Sequence, residues 1–147
     1  MQIDFATAAD LDAMAGLLGE LFALEADFKP DRARQLAALR WILDHPAHGR
    51  LFVVRDGDQV VGMANALLGI STAEGGPVLI LEDVILAASH RGGGHGRKLV
   101  EHVLAWAAGE GMRRVTLLAD RGNAAALAFY ERLGFEASAM VVRRRSL

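Results

Sequence analysis

From Leu81 to Leu99 the chain reads Leu-Glu-Asp-Val-Ile-Leu-Ala-Ala-Ser-His-Arg-Gly-Gly-Gly-His-Gly-Arg-Lys-Leu: an apolar run, an arginine, four glycines within five positions, then a basic stretch with helical apolar spacing. Glycine lets a backbone approach a ligand closely and take conformations closed to other residues. A helix start carries unpaired N–H groups and a partial positive charge, so it attracts anions. Strand, glycine turn and helix therefore read as a cradle for a phosphate group, its donors the backbone amides of Arg91, Gly92, Gly93, Gly94, His95 and Gly96. Arg91, Arg97 and Lys98 add positive charge there. Upstream, Glu82 places a carboxylate in an otherwise apolar run, a candidate for exchanging protons with a ligand. Asp83 points to the opposite face if the strand is regular, and suits a structural hydrogen bond.

Two familiar phosphate fingerprints fail on these residues. A Gly-x-Gly-x-x-Gly spacing cannot be laid on glycines 92, 93, 94 and 96. A P-loop would want a hydroxyl after Gly-Lys, whereas Gly96 is followed by Arg97-Lys98-Leu99. No metal site is expected: the chain has no cysteine, and His45 and His48 lack a third ligand nearby in sequence.

The elements that must position these groups can be read from periodicity. Gln2 to Phe5 alternates as a short strand. Thr7 and Asp10 resemble a capping box ahead of a stripe of Leu11, Met14, Leu17, Leu18 and Leu21. Glu25 to Pro30 interrupts that pattern as an acidic loop, and Asp31 to Leu43 resumes it as a second helix. Asp56-Gly57-Asp58 between two apolar runs predicts a hairpin, with Ser71 to Pro77 a loop. Val78 to Leu86 suits a central strand covered on both faces. A third helix over Gly94 to Ala108, a strand at Val115 to Leu118, a fourth helix capped by Asn123, and a final strand from Phe135 and Ala139 to Arg143 complete the order. The pattern is a mixed α/β sandwich.

With 147 residues, 52% apolar and 23% charged, the chain is expected to be one globular domain over 1–147. A net charge of −2 gives no bulk field for nucleic acid or an anionic membrane. Arg143, Arg144 and Arg145 fit alternation along a terminal strand. No apolar window is long enough to span a bilayer and Met1 to Phe5 lacks the features of a signal peptide, so a cytoplasmic protein is expected.

Arg91-Gly92-Gly93-Gly94-His95-Gly96 matches the Gln/Arg-x-x-Gly-x-Gly/Ala signature of the GNAT acetyltransferases, and Leu81 to Leu86 is similar to the strand that precedes it there. Asn123-Ala124-Ala125-Ala126-Leu127-Ala128-Phe129-Tyr130-Glu131-Arg132-Leu133-Gly134-Phe135 resembles the family's second motif, Asn-x-x-Ala-x-x-Phe-Tyr-x-x-x-Gly-Phe. The resemblance implies a central, mostly antiparallel twisted sheet of about six to seven strands with a splayed parallel pair, flanked by about four helices. It also implies acetyl-CoA as acyl donor, its diphosphate on the glycine loop and its pantetheine arm along the main chain of Val84 and Leu86. Tyr130 then falls at the family's proton-donating tyrosine, Asn123 at a cofactor-contacting asparagine, and Glu82 where a base would deprotonate an incoming amine. The residues around Glu82 look most like the diamine and polyamine branch.

The acceptor is expected to be a small primary amine. Glu25, Asp27 and Phe28, in the loop that commonly walls the acceptor site in this fold, would suit it by charge and cation–π contact. A peptide or protein acceptor, or a module that binds acetyl-CoA without turnover, are the alternatives. The apolar segment Ala139 to Val142 points to edge pairing in a homodimer.

Overall fold

The computed structural model describes residues 1–147. Strand β1 (Gln2–Phe5) leads into the expected capping box, where the Thr7 amide donates to Asp10 Oδ2 at 2.7 Å. A single 3-10 turn then runs into helix α1 (Leu11–Leu24), which buries Leu11, Met14, Ala15, Leu17 and Leu18. Asp31 starts helix α2 (Arg32–Asp44) by accepting from the Arg34 amide at 3.1 Å. Strands β2 (Gly49–Asp56) and β3 (Gln59–Ser71) form the predicted hairpin, with Gly57 and Asp58 at the turn. Strand β4 (Gly76–Leu86) precedes helix α3 (His95–Gly109), strand β5 (Val115–Leu117) and helix α4 (Ala124–Arg132).

The strands lie in the order β1-β2-β3-β4-β5, antiparallel throughout except for the parallel β4–β5 pair. That pair holds only from Leu79↔Val115 to Leu81↔Leu117, after which β4 continues without it. Each face of the sheet has its own core. Helices α1 and α2 cover Leu51, Val53, Met63 and Ile85. Helix α3 lays Leu99, Val100 and Val103 over Phe52, Ala64, Leu79 and Leu81 on the other side. Burying one such large aliphatic side chain stabilises by about 1.5–3 kcal/mol, and these two layers orient β4 between them. No helix is long and apolar enough to cross a membrane.

The sheet has five strands, fewer than expected, because Phe135 and Ala139 to Arg143 do not form one. Alternation alone does not make a strand; a ladder partner must be available. The free edge beside this segment is β5, only three residues long, and Arg144 is drawn instead to Asp27 at 2.8 Å.

Candidate active site

The β3–β4 ladder slips at one point. Met63 pairs with Ile85 and Asn65 with Glu82, so one extra residue is accommodated on β4. Asp83 takes it up with φ 55, a left-handed conformation that costs energy in any residue but glycine. The bulge inverts the strand's alternation. Leu79 and Leu81 face α3, whereas Ile85 faces α1 and α2. Glu82 shares the α1–α2 side with its ladder partner Asn65, and Asp83, displaced by the bulge, joins Asn65 in lining a cavity beneath α1 and α2. The expectation that the two carboxylates face opposite ways is thus corrected: a regular strand would separate them, and the bulge puts both on one side.

Asp83 is largely buried and accepts from Asn65 Nδ2 at 3.2 Å. Burial, reinforced by the neighbouring Glu82 charge, pushes its carboxyl up to about 6 against the opposing pull of that hydrogen bond. Glu25, at the end of α1, is also raised, first by burial and then by the charges of Asp83, Asp120, Asp27 and Glu82. One acidic cluster is therefore assembled from α1, β4 and the turn after β5.

Tyr130 comes to the same cluster from α4. Its ring packs edge-on against Phe129 at 5.1 Å and Phe135 at 5.8 Å. Burial, with Glu25 adding to it, pushes the phenol up to about 12, so it carries its proton throughout the physiological range. Asn123 sets the start of α4, its Oδ1 accepting from the Ala126 amide at 3.0 Å. Asp120 turns the chain toward that cap, its Oδ1 accepting from the Gly122 amide at 2.8 Å.

The glycine loop lies where β4 hands over to α3. Gly92 and Gly94 sit at φ 81 and 80, both left-handed, and Gly94 is the N-cap of α3. The first backbone bond of the helix is Lys98 N–H to Gly94 O. The amides of residues 92 to 97 donate to nothing within the chain, leaving six consecutive N–H groups at one helix start. Gly96 closes the arrangement: a methyl there would meet Phe129 at 3.7 Å and Leu86 at 3.9 Å, so the loop sits against the ends of both β4 and α4. Such a row of free donors on the positive end of a helix is the kind of arrangement that attracts anions.

Several side chains are placed otherwise than the sequence suggests. Arg91 folds back, Nε donating to the Leu86 carbonyl at 2.9 Å and a terminal nitrogen 3.6 Å from Glu20, because the strand end offers a nearer acceptor than open loop. Arg97 pairs with Glu101 one turn along at 2.7 Å. The unengaged donors of the loop are thus its amides more than these guanidinium groups, and the Leu86 carbonyl is already engaged. Asp27 and Phe28 hold the chain's own Arg144, whose guanidinium stands 5.5 Å above the Phe28 ring. Of the three loop residues, Glu25 is the one electrostatically joined to the carboxylates of β4. Sequence reasoning passed over Asn65, Gln35 and Asp120. A signal existed for the first two: Asn65 interrupts the apolar run of β3, and Gln35 shares a helical face with the buried Leu39 and Ile42.

The larger cavity, about 280 Å³, lies at the C-terminal end of α3 among Leu104, Met112, Val115 and Phe135. A helix of this length is roughly 22 Å long, so that groove is remote from the glycine loop, and no carboxylate lines it. No three His, Cys, Asp or Glu side chains are arranged to hold a metal ion.

Residues 17–135 match the model of the Acetyltransferase (GNAT) family. The chain belongs to the GNAT family. Its members are acetyl-CoA-dependent acyltransferases, and the strand, glycine loop and helix described above are the part that carries its first motif. "N-acetyltransferase family 8 member 2" of Rattus norvegicus is 33% identical over 90 residues, which is 61% of this chain and 40% of that protein. The chain thus spans well under two thirds of the curated relatives it matches. Among solved structures, an acetyltransferase of Trypanosoma brucei is 26% identical with a TM-score of 0.77, covering 99% of both chains. An aminoglycoside N-acetyltransferase in complex with CoA shares the fold at 22% identity, with a TM-score of 0.83, covering 99% of this chain and 93% of that one.

Proposed function

We propose that this GNAT chain transfers the acetyl group of acetyl-CoA to a primary amine of a small molecule by direct attack in a ternary complex. The observation that carries the reading is the row of six unpaired amides at residues 92–97, set against the ends of β4 and α4 and within one fold of a buried tyrosine and paired carboxylates. The residues fit the donor. The amides would hold its diphosphate, and the β4–β5 gap leaves the main chain of Val84 free along one edge for an extended arm. When bound, acetyl-CoA supplies an activated acyl carbon.

The chain's own groups then manage the protons. Transfer needs one proton removed from the acceptor ammonium and one delivered to the departing sulfur. Glu82 and Asp83 stand on the same side of the sheet to take the first, directly or through water. Tyr130, protonated up to about pH 12, gives the second. Glu25 adds negative charge that favours a cationic acceptor. The expected setting is the cytoplasm, and the exposed apolar residues Met140, Val141 and Val142 support association of two copies through the C-terminal segment, to be read by light scattering.

Calorimetry with acetyl-CoA and a thiol-release assay over a panel of amines test the reading. Binding with amine-dependent release of free thiol is expected. Binding without release from any amine would make this a sensor rather than a transferase, and absence of binding would overturn both.

A further inference from the structure

The cavity beneath α1 and α2 has an unusual floor. Its volume is about 180 Å³, and its walls are apolar, with Leu18, Phe22, Leu39 and Ile42 among them. Asp83, Asn65, Gln35 and Arg34 also line it, the Arg34 guanidinium being paired with Asp31 at 3.4 Å. Gln35 is 6% exposed and its Nε2 has no partner; Asn65 is 5% exposed and its Oδ1 has none. Buried polar atoms are nearly always paired, and leaving one unpaired costs the full desolvation of that group. An unpaired donor and an unpaired acceptor, carried by residues that line one small void beside a buried carboxyl, set the polar demands of that void.

We propose that this cavity is the acceptor pocket, and that Asp83, Asn65 and Gln35 select a small primary amine carrying an oxygen close to its nitrogen on an apolar body. The assignment rests on the transferase reading above. Each orphan specifies one feature of the ligand. Asn65 Oδ1 needs an N–H or O–H, which the amine supplies while it also donates to Asp83. Gln35 Nε2 needs an acceptor, which a hydroxyl or carbonyl on the neighbouring carbon supplies. The apolar walls take a branched alkyl or aryl remainder. Amino alcohols and amino acid amides meet all three demands. A linear polyamine offers donors only and leaves Gln35 unpaired. The void holds about six water-sized groups, below the roughly 300–1,000 Å³ of pockets that engulf drug-sized ligands, so an aminoglycoside cannot enter whole.

The test titrates leucinol, leucinamide, isopentylamine and spermidine into the protein by calorimetry, with and without CoA, and follows thiol release with acetyl-CoA. Leucinol and leucinamide are expected to bind at least tenfold tighter than isopentylamine. Gln35→Leu should erase that margin, weakening leucinol about tenfold while isopentylamine shifts less than twofold. The melting temperature should hold or rise, since the substitution removes an unpaired buried donor; a merely structural glutamine would lower it. If Gln35→Leu does not fold, Gln35→Met carries the same expectation. Equal affinity for leucinol and isopentylamine, or an unchanged leucinol affinity in the variant, as an ordered water on both orphans would give, overturns the proposal. Thiol release with spermidine alone would sink the pocket assignment while sparing the transferase. Failure of acetyl-CoA itself to bind would remove the reading on which both stand.

Discussion

At the scale of single residues, the two groups with displaced titrations make separable predictions. The Tyr130 hydroxyl has no partner in the chain and its ring is held by Phe129 and Phe135. Tyr130→Phe should therefore keep the melting temperature and CoA affinity while lowering kcat by about a hundredfold, the loss typical of a positioned proton donor. Asp83 works on stability as well as on rate. It meets Asn65 and Glu82 from the sheet and the charge of Glu25 from the end of α1, while Arg34 of α2 turns to Asp31. Its folded carboxyl titrates near 6, above the unfolded value of 3.8, so between about pH 4 and pH 6 the folded state binds the extra proton. Stability contributed by the protonated form is complete below that window and is lost as pH rises through it, by about 3 kcal/mol at the plateau. Asp83→Asn should accordingly unfold at higher urea than the parent at pH 7.5, with the difference closing near pH 4. The same carboxyl should give kcat/KM an inflection near pH 6 that vanishes in Asp83→Asn and survives in Glu82→Gln. The reverse pattern would return the base role to Glu82.

Elements convert these residues into a site, and two local devices matter most. One is the glycine loop. At Gly94 the left-handed backbone aims the free amides, and an L side chain there costs about 1–2 kcal/mol. Gly96 is different: an added methyl meets only ordinary contacts with Phe129 and Leu86. Gly94→Ala should weaken CoA binding at least tenfold, whereas Gly96→Ala should stay within about threefold; calorimetry on the two variants checks the contrast. The loop was legible in the sequence because its chemistry belongs to the backbone, and glycine spacing reports backbone freedom directly. The other device is the β4 bulge, which was not legible. Leu81-Glu82-Asp83-Val84 carries no glycine to announce a left-handed residue, and period-two alternation sent Asp83 to the wrong face. The misplaced C-terminal strand has a similar origin. Ala139 to Val142 is apolar enough for a strand, but pairing depends on an edge contributed by β5, about 20 residues away.

For the molecule as a whole, the sheet is a partition between two cores, and Asp10 ties its edge together. That carboxylate is 5% exposed, takes both terminal nitrogens of Arg55 at 2.7 and 2.8 Å, and also caps the Thr7 amide at 2.7 Å. One side chain thus joins the start of α1 to β2, and Arg55 reaches on to Asp4 of β1 at 3.3 Å. Its carboxyl is held below the usual range, first by the Arg55 hydrogen bonds, so its stabilisation is present above the unfolded pKa and fades only as pH falls through the lowered folded value. Asp10→Ala should cost about 3 kcal/mol at neutral pH, read as a fall in urea midpoint, because the largely buried Arg55 then loses both terminal-nitrogen bonds and keeps only its contact with Asp4.

Read alone, the sequence determined the element order as far as α4, the hairpin, two helix caps, the glycine loop and the family, since each is written within a few consecutive residues whose backbone preferences are local. The tertiary structure alone decided which side chains meet. It turned Glu82 and Asp83 to one face, set Glu25 and Tyr130 in a common field, diverted Arg91, Arg97 and Arg144 to nearer partners, and left Gln35 and Asn65 unpaired over one void. Those outcomes depend on a slipped ladder and on packing between segments distant in the chain, where a displacement of one residue changes which face of the sheet a side chain occupies.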